Sequence, residues 1–223
     1  MKVLLIEDRQ KRQEQFLNNS NVFLSKYSIL DNKTGTRYQE FKKNILEDKT
    51  ILKEYDIIIS HRSAFDKDNA KIMDIMEEHC TNHSKKMVLF SGGIYSSYYQ
   101  TNPFEKLSLN SKKLYSQNLE LFLDNIENKN EVNLHILAYG EDWEINLLLG
   151  VLEKINLLLQ KDDDFIDGLD YDDLNDDVNI ELIQDFIDIQ NLTVEDNIEK
   201  EQISTIRNNI MNYINYKLGL HYV

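Results

Sequence analysis

Short apolar runs alternate with amphipathic stretches along the first 160 residues. The runs are 3–6, 27–30, 57–59, 87–90 and 134–138. A brief continuous apolar run suits a strand buried on both faces, as in a parallel sheet. The stretches between them carry helical spacing. Residues 9–17 form a polar helix anchored by Phe16 and Leu17, and Asn18-Asn19-Ser20-Asn21 closes it with turn residues. Thr36 caps a second helix, with Tyr38, Phe41 and Ile45 on one face. Residues 66–79 form a third, whose stripe is Ile72, Ile75, Met76, His79 and Cys80. A Tyr- and Ser-rich stretch, 94–109, precedes a fourth helix at 111–126, and a fifth spans 141–159.

Strand and helix thus alternate five times, the pattern of a doubly wound α/β fold. The expected architecture is flavodoxin-like: a five-stranded parallel sheet of order 2-1-3-4-5, helices on both faces, and a C-terminal helical extension. In that order the first and third strands end at one crevice. Glu7 and Asp8 would then lie beside Ser60, His61 and Arg62.

The fifth helix carries two stripes. Ile145, Leu148, Leu149, Leu152, Ile155 and Leu159 make one; Trp143, Leu147, Val151 and Leu158 contribute to a second. One stripe covers a sheet, so the second requires another partner, either the chain's own tail or a second chain. The tail has helical spacing at 178–190 and again from Ile203 to Leu218, with Gly219 as a terminator. The expected organisation is an α/β domain at 1–160, an acidic linker at 161–177 and a helical tail at 178–223.

A hydrophobic content of 41% is enough for a real core. No apolar run approaches the ~18 residues of a membrane span. The net charge of −14 argues against nonspecific binding to nucleic acid or an anionic membrane. Cys80 is the only cysteine, so no internal disulfide forms, and a reducing cytoplasm is the expected compartment. Nine aspartates and no Lys or Arg fall between 162 and 177. The run reads as a solvated linker. The alternative is an acidic inhibitor or antitoxin-like surface for a basic partner. The spacing of Asp162, Asp164 and Gly168 is not that of a calcium loop.

Two carboxylates at a buried strand end are costly without a cation or donors. Glu7 and Asp8 either hold Mg²⁺ or pair with Arg62 or Arg9. Ser60-His61-Arg62 offers His61 as base or phosphoryl acceptor and Arg62 as anion clamp, or simply a loop whose arginine neutralises the acids. Adjacency of Ser60 and His61 in sequence does not make a dyad. Ser91-Gly92-Gly93 offers backbone N–H groups to an anion, or a turn that needs positive φ. His79, Cys80 and His83 have ligand-like spacing, but zinc needs three or four ligands and the first two continue the core stripe.

VLLIED at 3–8, YDIII at 55–59 and VLFSGG at 88–93 carry a family likeness. Over about residues 1–160 the chain resembles the receiver domains of two-component response regulators. The resemblance makes Glu7 and Asp8 the metal-binding acidic pair and Ser91 the hydroxyl that contacts the phosphoryl group. It also implies association through the fourth and fifth helices, with another protein or a second copy. Two positions depart from it. Ser60 stands where receivers carry the phospho-accepting aspartate, and Ala138-Tyr139-Gly140 where they carry a lysine after the fifth strand. A serine does not supply the carboxylate nucleophile of aspartyl phosphorylation. The resemblance therefore implies a degenerate receiver: a signalling or regulatory interaction module, with Mg²⁺-dependent phosphoryl handling by Glu7, Asp8 and His61 as the alternative.

Overall fold

A computed structural model describes residues 1–20, 28–30, 35–146, 148, 149, 152 and 200–218. The chain forms two units, Met1–Glu141 and Asp142–Val223.

The first unit is built on one mostly parallel sheet. Strand β1 (Val3–Ile6) is buried at all four positions and pairs in parallel with β2 (Ser28–Leu30) and β3 (Ile57–His61). Strand β4 (Lys86–Ser91) pairs in parallel with β3, and its far side pairs with a later strand. Alternate side chains point to opposite faces of a strand. Leu4, Ile6, Ile58, Met87 and Leu89 share a cluster with Tyr38, Phe41 and Ile45 of α2 (Thr36–Glu47) and with Ile72 and Met76 of α3 (Asn69–His83). Leu5, Ile57, Ile59, Val88 and Phe90 have the opposite parity and are also buried. Both faces are therefore covered, which is why these strands read as unbroken apolar runs.

The rest of the sheet corrects the five-stranded expectation. Residues 134–138 are not a strand. They form most of helix α6 (His135–Tyr139). Asn133 Oδ1 accepts from the His135 N–H at 3.0 Å, and Gly140 ends the helix at φ 65°. The fifth parallel strand is β6 (Lys106–Asn110), paired with β4, and β5 (Tyr98–Gln100) adds an antiparallel edge. The sheet thus has six strands in the order β2-β1-β3-β4-β6-β5. In β6 only Leu107 and Leu109 are buried, so it shows the alternation of a one-sided strand and not an apolar run.

The helix expected at 111–126 is interrupted. Four residues of α4 (Ser111–Leu114) are followed by a turn at Tyr115 and Ser116. The Ser116 hydroxyl then accepts from the Asn118 N–H and starts α5 (Gln117–Asp124), which continues into a wide turn at Asn125–Lys129. The first helix is α1 (Gln10–Asn19).

Within the second unit, Leu148, Leu152, Ile210 and Ile214 are buried. The last two lie on α7 (Lys200–Lys217), where the tail spacing predicts them. Glu144 accepts from the Tyr213 hydroxyl and pairs with Lys217 Nζ at 3.0 Å. The boundary at 160, the acidic run 161–177, the spacing at 178–190 and Gly219 lie outside the described residues. No helix among the described residues is long and apolar enough to cross a membrane.

Candidate functional site

Parallel pairing puts Ile6 of β1 opposite Ser60 of β3. The residues that follow each strand therefore meet at one sheet edge, the crevice end of an open α/β fold. Glu7 is fully buried there. Its Oε1 accepts from the Arg9 N–H at 2.9 Å. Its Oε2 lies 3.6 Å from Arg12 Nη1, too far for a good hydrogen bond. Burial pushes the Glu7 carboxyl above its ordinary range, while the Arg9 N–H and the Arg12 charge pull it back.

Asp8 Oδ1 lies 2.9 Å from His61 Nδ1, and the two side chains are 6% and 4% exposed. The imidazole leans against Phe90 at 5.4 Å between ring centroids. Ser60 is fully buried, and its hydroxyl donates to the His61 carbonyl at 3.3 Å, so it faces its own backbone. Ser60 and His61 form no nucleophile–base pair in this arrangement.

Glu7, Asp8 and His61 each offer a ligand atom within 4.8 Å of the other two. The Glu7 Oε2 and His61 Nδ1 atoms are buried and complete no hydrogen bond of their own. Two carboxylates and one imidazole are a reasonable donor set for a divalent cation. Magnesium prefers oxygen alone, so the nitrogen tilts such a site towards manganese, iron, cobalt or zinc. Arg12 is the charge-compensating alternative within the chain.

The other predicted residues are placed as follows. Arg62 is exposed, its N–H donates to the Phe90 carbonyl and its carbonyl accepts from Asn69 Nδ2. The arginine beside the acids is Arg12, from the first turn of α1. The sequence signal for it was weak: a helix opening directly after the acidic pair turns one early side chain back over the strand end. Ser91 ends β4, and its hydroxyl accepts from the Gly93 N–H at 3.3 Å. Gly92 and Gly93 are exposed and need no positive φ; among the described glycines only Gly140 has it. Asn110 Nδ2 ties this loop by donating to the carbonyls of Gly92 and Ile94.

The lysine position also changes. Because β6 is the fifth parallel strand, Ser111-Lys112-Lys113 follow it, not Ala138-Tyr139-Gly140. Lys112 is exposed, and Lys113 Nζ stands 5.7 Å from the centre of the Tyr139 ring.

His79 and Cys80 belong to the core side of α3, as their stripe predicts. The His79 and His83 rings stack at 4.5 Å, and burial pushes the Cys80 thiol up to about 12. Comparison with known proteins returns no match: no family model, no curated protein and no solved structure is significantly similar to this chain.

Proposed function

We propose that the chain is a receiver-like regulatory module of the cytoplasm. It works by contact with another protein or a second copy of itself, and not by aspartyl phosphorylation. One observation carries this reading. At the end of the third strand stand Ser60 and His61, and the imidazole is held 2.9 Å from Asp8. A phosphoryl-accepting carboxylate is missing from that strand end, and Asp8 itself is engaged. The resemblance assigns the partner to the fourth and fifth helices that the sequence predicts, 111–126 and 141–159, and the C-terminal helices are the other candidate surface.

Incubation of the full chain with acetyl phosphate and Mg²⁺ tests the first half, read by intact mass spectrometry. The expected result is an unchanged mass. A phosphoryl adduct on Asp8 or His61 would overturn it and favour phosphoryl handling. Light scattering over a range of concentrations, with cross-linking in extracts of the source cell, tests the second half. A monomer that captures no specific partner would sink it.

A second reading has its own observation, the convergence of three buried ligand atoms from Glu7, Asp8 and His61. We infer that this cluster is a divalent-cation site with a preference for Mn²⁺ or Zn²⁺ over Mg²⁺. Thermal unfolding with each metal should show the largest stabilisation for a metal that accepts nitrogen. Asp8→Asn and His61→Ala should each abolish it. Equal melting temperatures with and without every metal would remove the idea.

A further inference from the structure

The sheet ends on β5, which pairs with β6 on one side. Among the described residues no strand pairs with its other side. An open edge presents N–H and C=O groups to any passing strand, and proteins commonly guard it with lysine, proline or a bulge. This edge carries neither charge nor proline: β5 is Tyr98-Tyr99-Gln100. It lies within 87–104, the longest stretch of the chain without Asp, Glu, Lys or Arg.

The side chains around it suit a protein surface. Tyr95 is 96% exposed, more than any other large hydrophobic side chain described, and Tyr98 is 55% exposed. Tyr98 and Gln100 share one face of the strand, while Tyr99 is buried on the other against the His135 ring. The sequence GGIYSSYYQTN at 92–102 has the composition of binding loops. Tyrosine there supplies wide contact for few frozen torsions, and Ser, Gly and Asn supply adaptable hydrogen bonds.

Charge selects the occupant. The chain carries −14, so two copies repel through most of their surfaces. At 92–102 they do not, and that stretch offers a basic partner no carboxylate and an acidic partner no cation. Two lysines border it, and both are engaged. Lys106, opposite Gln100 in the ladder, pairs with Glu77 at 2.8 Å. Lys113 stands by Ser97 and the Tyr139 ring. A two-fold axis across the edge also makes the new pairing antiparallel, the more stable arrangement for strands.

We propose that β5 pairs with β5 of a second copy, joining two six-stranded sheets into one. A register centred on Tyr99 sets Tyr98 across from Gln100 of the second copy, on the open face. The proposal does not rest on the regulatory reading, which places the partner on helices. So short an edge gives a reversible dimer, with Kd between about 1 μM and 1 mM.

The experiment is sedimentation of the full chain up to about 1 mM, with hydrogen exchange at both ends of the range. Mass should rise towards two chains, and exchange at 98–100 should slow with concentration. Raising NaCl from about 0.05 M to about 0.5 M should tighten the dimer, because screening removes repulsion and the interface holds no ion pair. Tyr98→Lys should weaken it about tenfold or more. Tyr98 is exposed, so this variant should keep the parent's melting temperature. Leu149→Lys, on the 141–159 segment, should leave the dimer intact. A single-chain mass throughout would overturn the proposal, while leaving the regulatory reading a different protein as partner. A dimer that salt loosens, that leaves exchange at 98–100 unchanged, or that yields to Leu149→Lys and not to Tyr98→Lys would also overturn it. The last of these would instead favour the helical surface.

Discussion

His61 Nδ1 lies 2.9 Å from Asp8 Oδ1, with both side chains almost fully buried. The pair joins the end of β3 to the residue two past β1, so it fastens together the two strands at the centre of the crevice. Neighbouring buried polar groups couple strongly, because truncating one leaves the other without its partner. A double-mutant cycle of Asp8→Asn and His61→Gln should give a coupling of about 1–3 kcal/mol in denaturant unfolding at neutral pH. A coupling within error of zero would mean that the contact stabilises nothing.

Gly140 closes α6 at φ 65°, in the left-handed half of conformational space that disfavours side chains. A Cβ there would lie 2.6 Å from Asn118 Oδ1, and Asn118 is fixed by donating Nδ2 to the Leu137 carbonyl at 3.3 Å. Gly140→Ala should therefore destabilise the first unit by roughly 1–3 kcal/mol. The same change would be nearly silent if residues 134–138 were a strand leading into an open loop. Urea unfolding decides between the two outcomes.

His79 is buried, its Nε2 has no hydrogen-bond partner, and its ring stacks on His83. Burial lowers its pKa below 6.5, and His83, Lys85 and Lys53 add to the effect. The unfolded chain then binds the proton more readily than the folded one. Stability should hold above pH 6.5 and fall as the pH drops below it. His79→Leu should flatten that part of the curve, read as melting temperature between about pH 7 and 5. An unchanged slope would show that other groups set the acid response.

Cys80 is fully buried and its thiol is pushed up to about 12, so little thiolate exists near neutrality. A disulfide reagent at pH 8 should label the native protein slowly, and label it fully and fast in guanidinium. Rapid native labelling would mean that α3 opens readily.

The central strands were legible from residues alone because each is covered on both faces. Burial on both sides demands apolar side chains at every position, and Val3–Ile6 and 57–59 announce this directly. The α2 and α3 stripes were legible for the same reason, one face at a time. Residues 134–138 misled because a short buried run, four of its five residues apolar, looks alike as strand or helix. Their punctuation, Asn133 before and Gly140 after, was the better signal. Strand β6 was missed because only Leu107 and Leu109 are buried and the alternation is short.

At the site, the meeting of the Glu7-Asp8 pair with Ser60 and His61 followed from strand order alone. Which side chains touch did not. Arg12, and not Arg62, reaches the acids, because one arginine rides a helix turned back over the sheet while the other lies exposed beyond the strand end. The amino-acid sequence by itself determined the parallel core, the burial of its strands and the convergence of acids and histidine at one edge. The first two depend on local patterns of apolar residues, and the third on the order in which parallel strands pair. Only the tertiary structure decided the sixth strand, the helical fate of 134–138 and the partner of each carboxylate. Those depend on distances between segments far apart in the chain, and no local pattern records them.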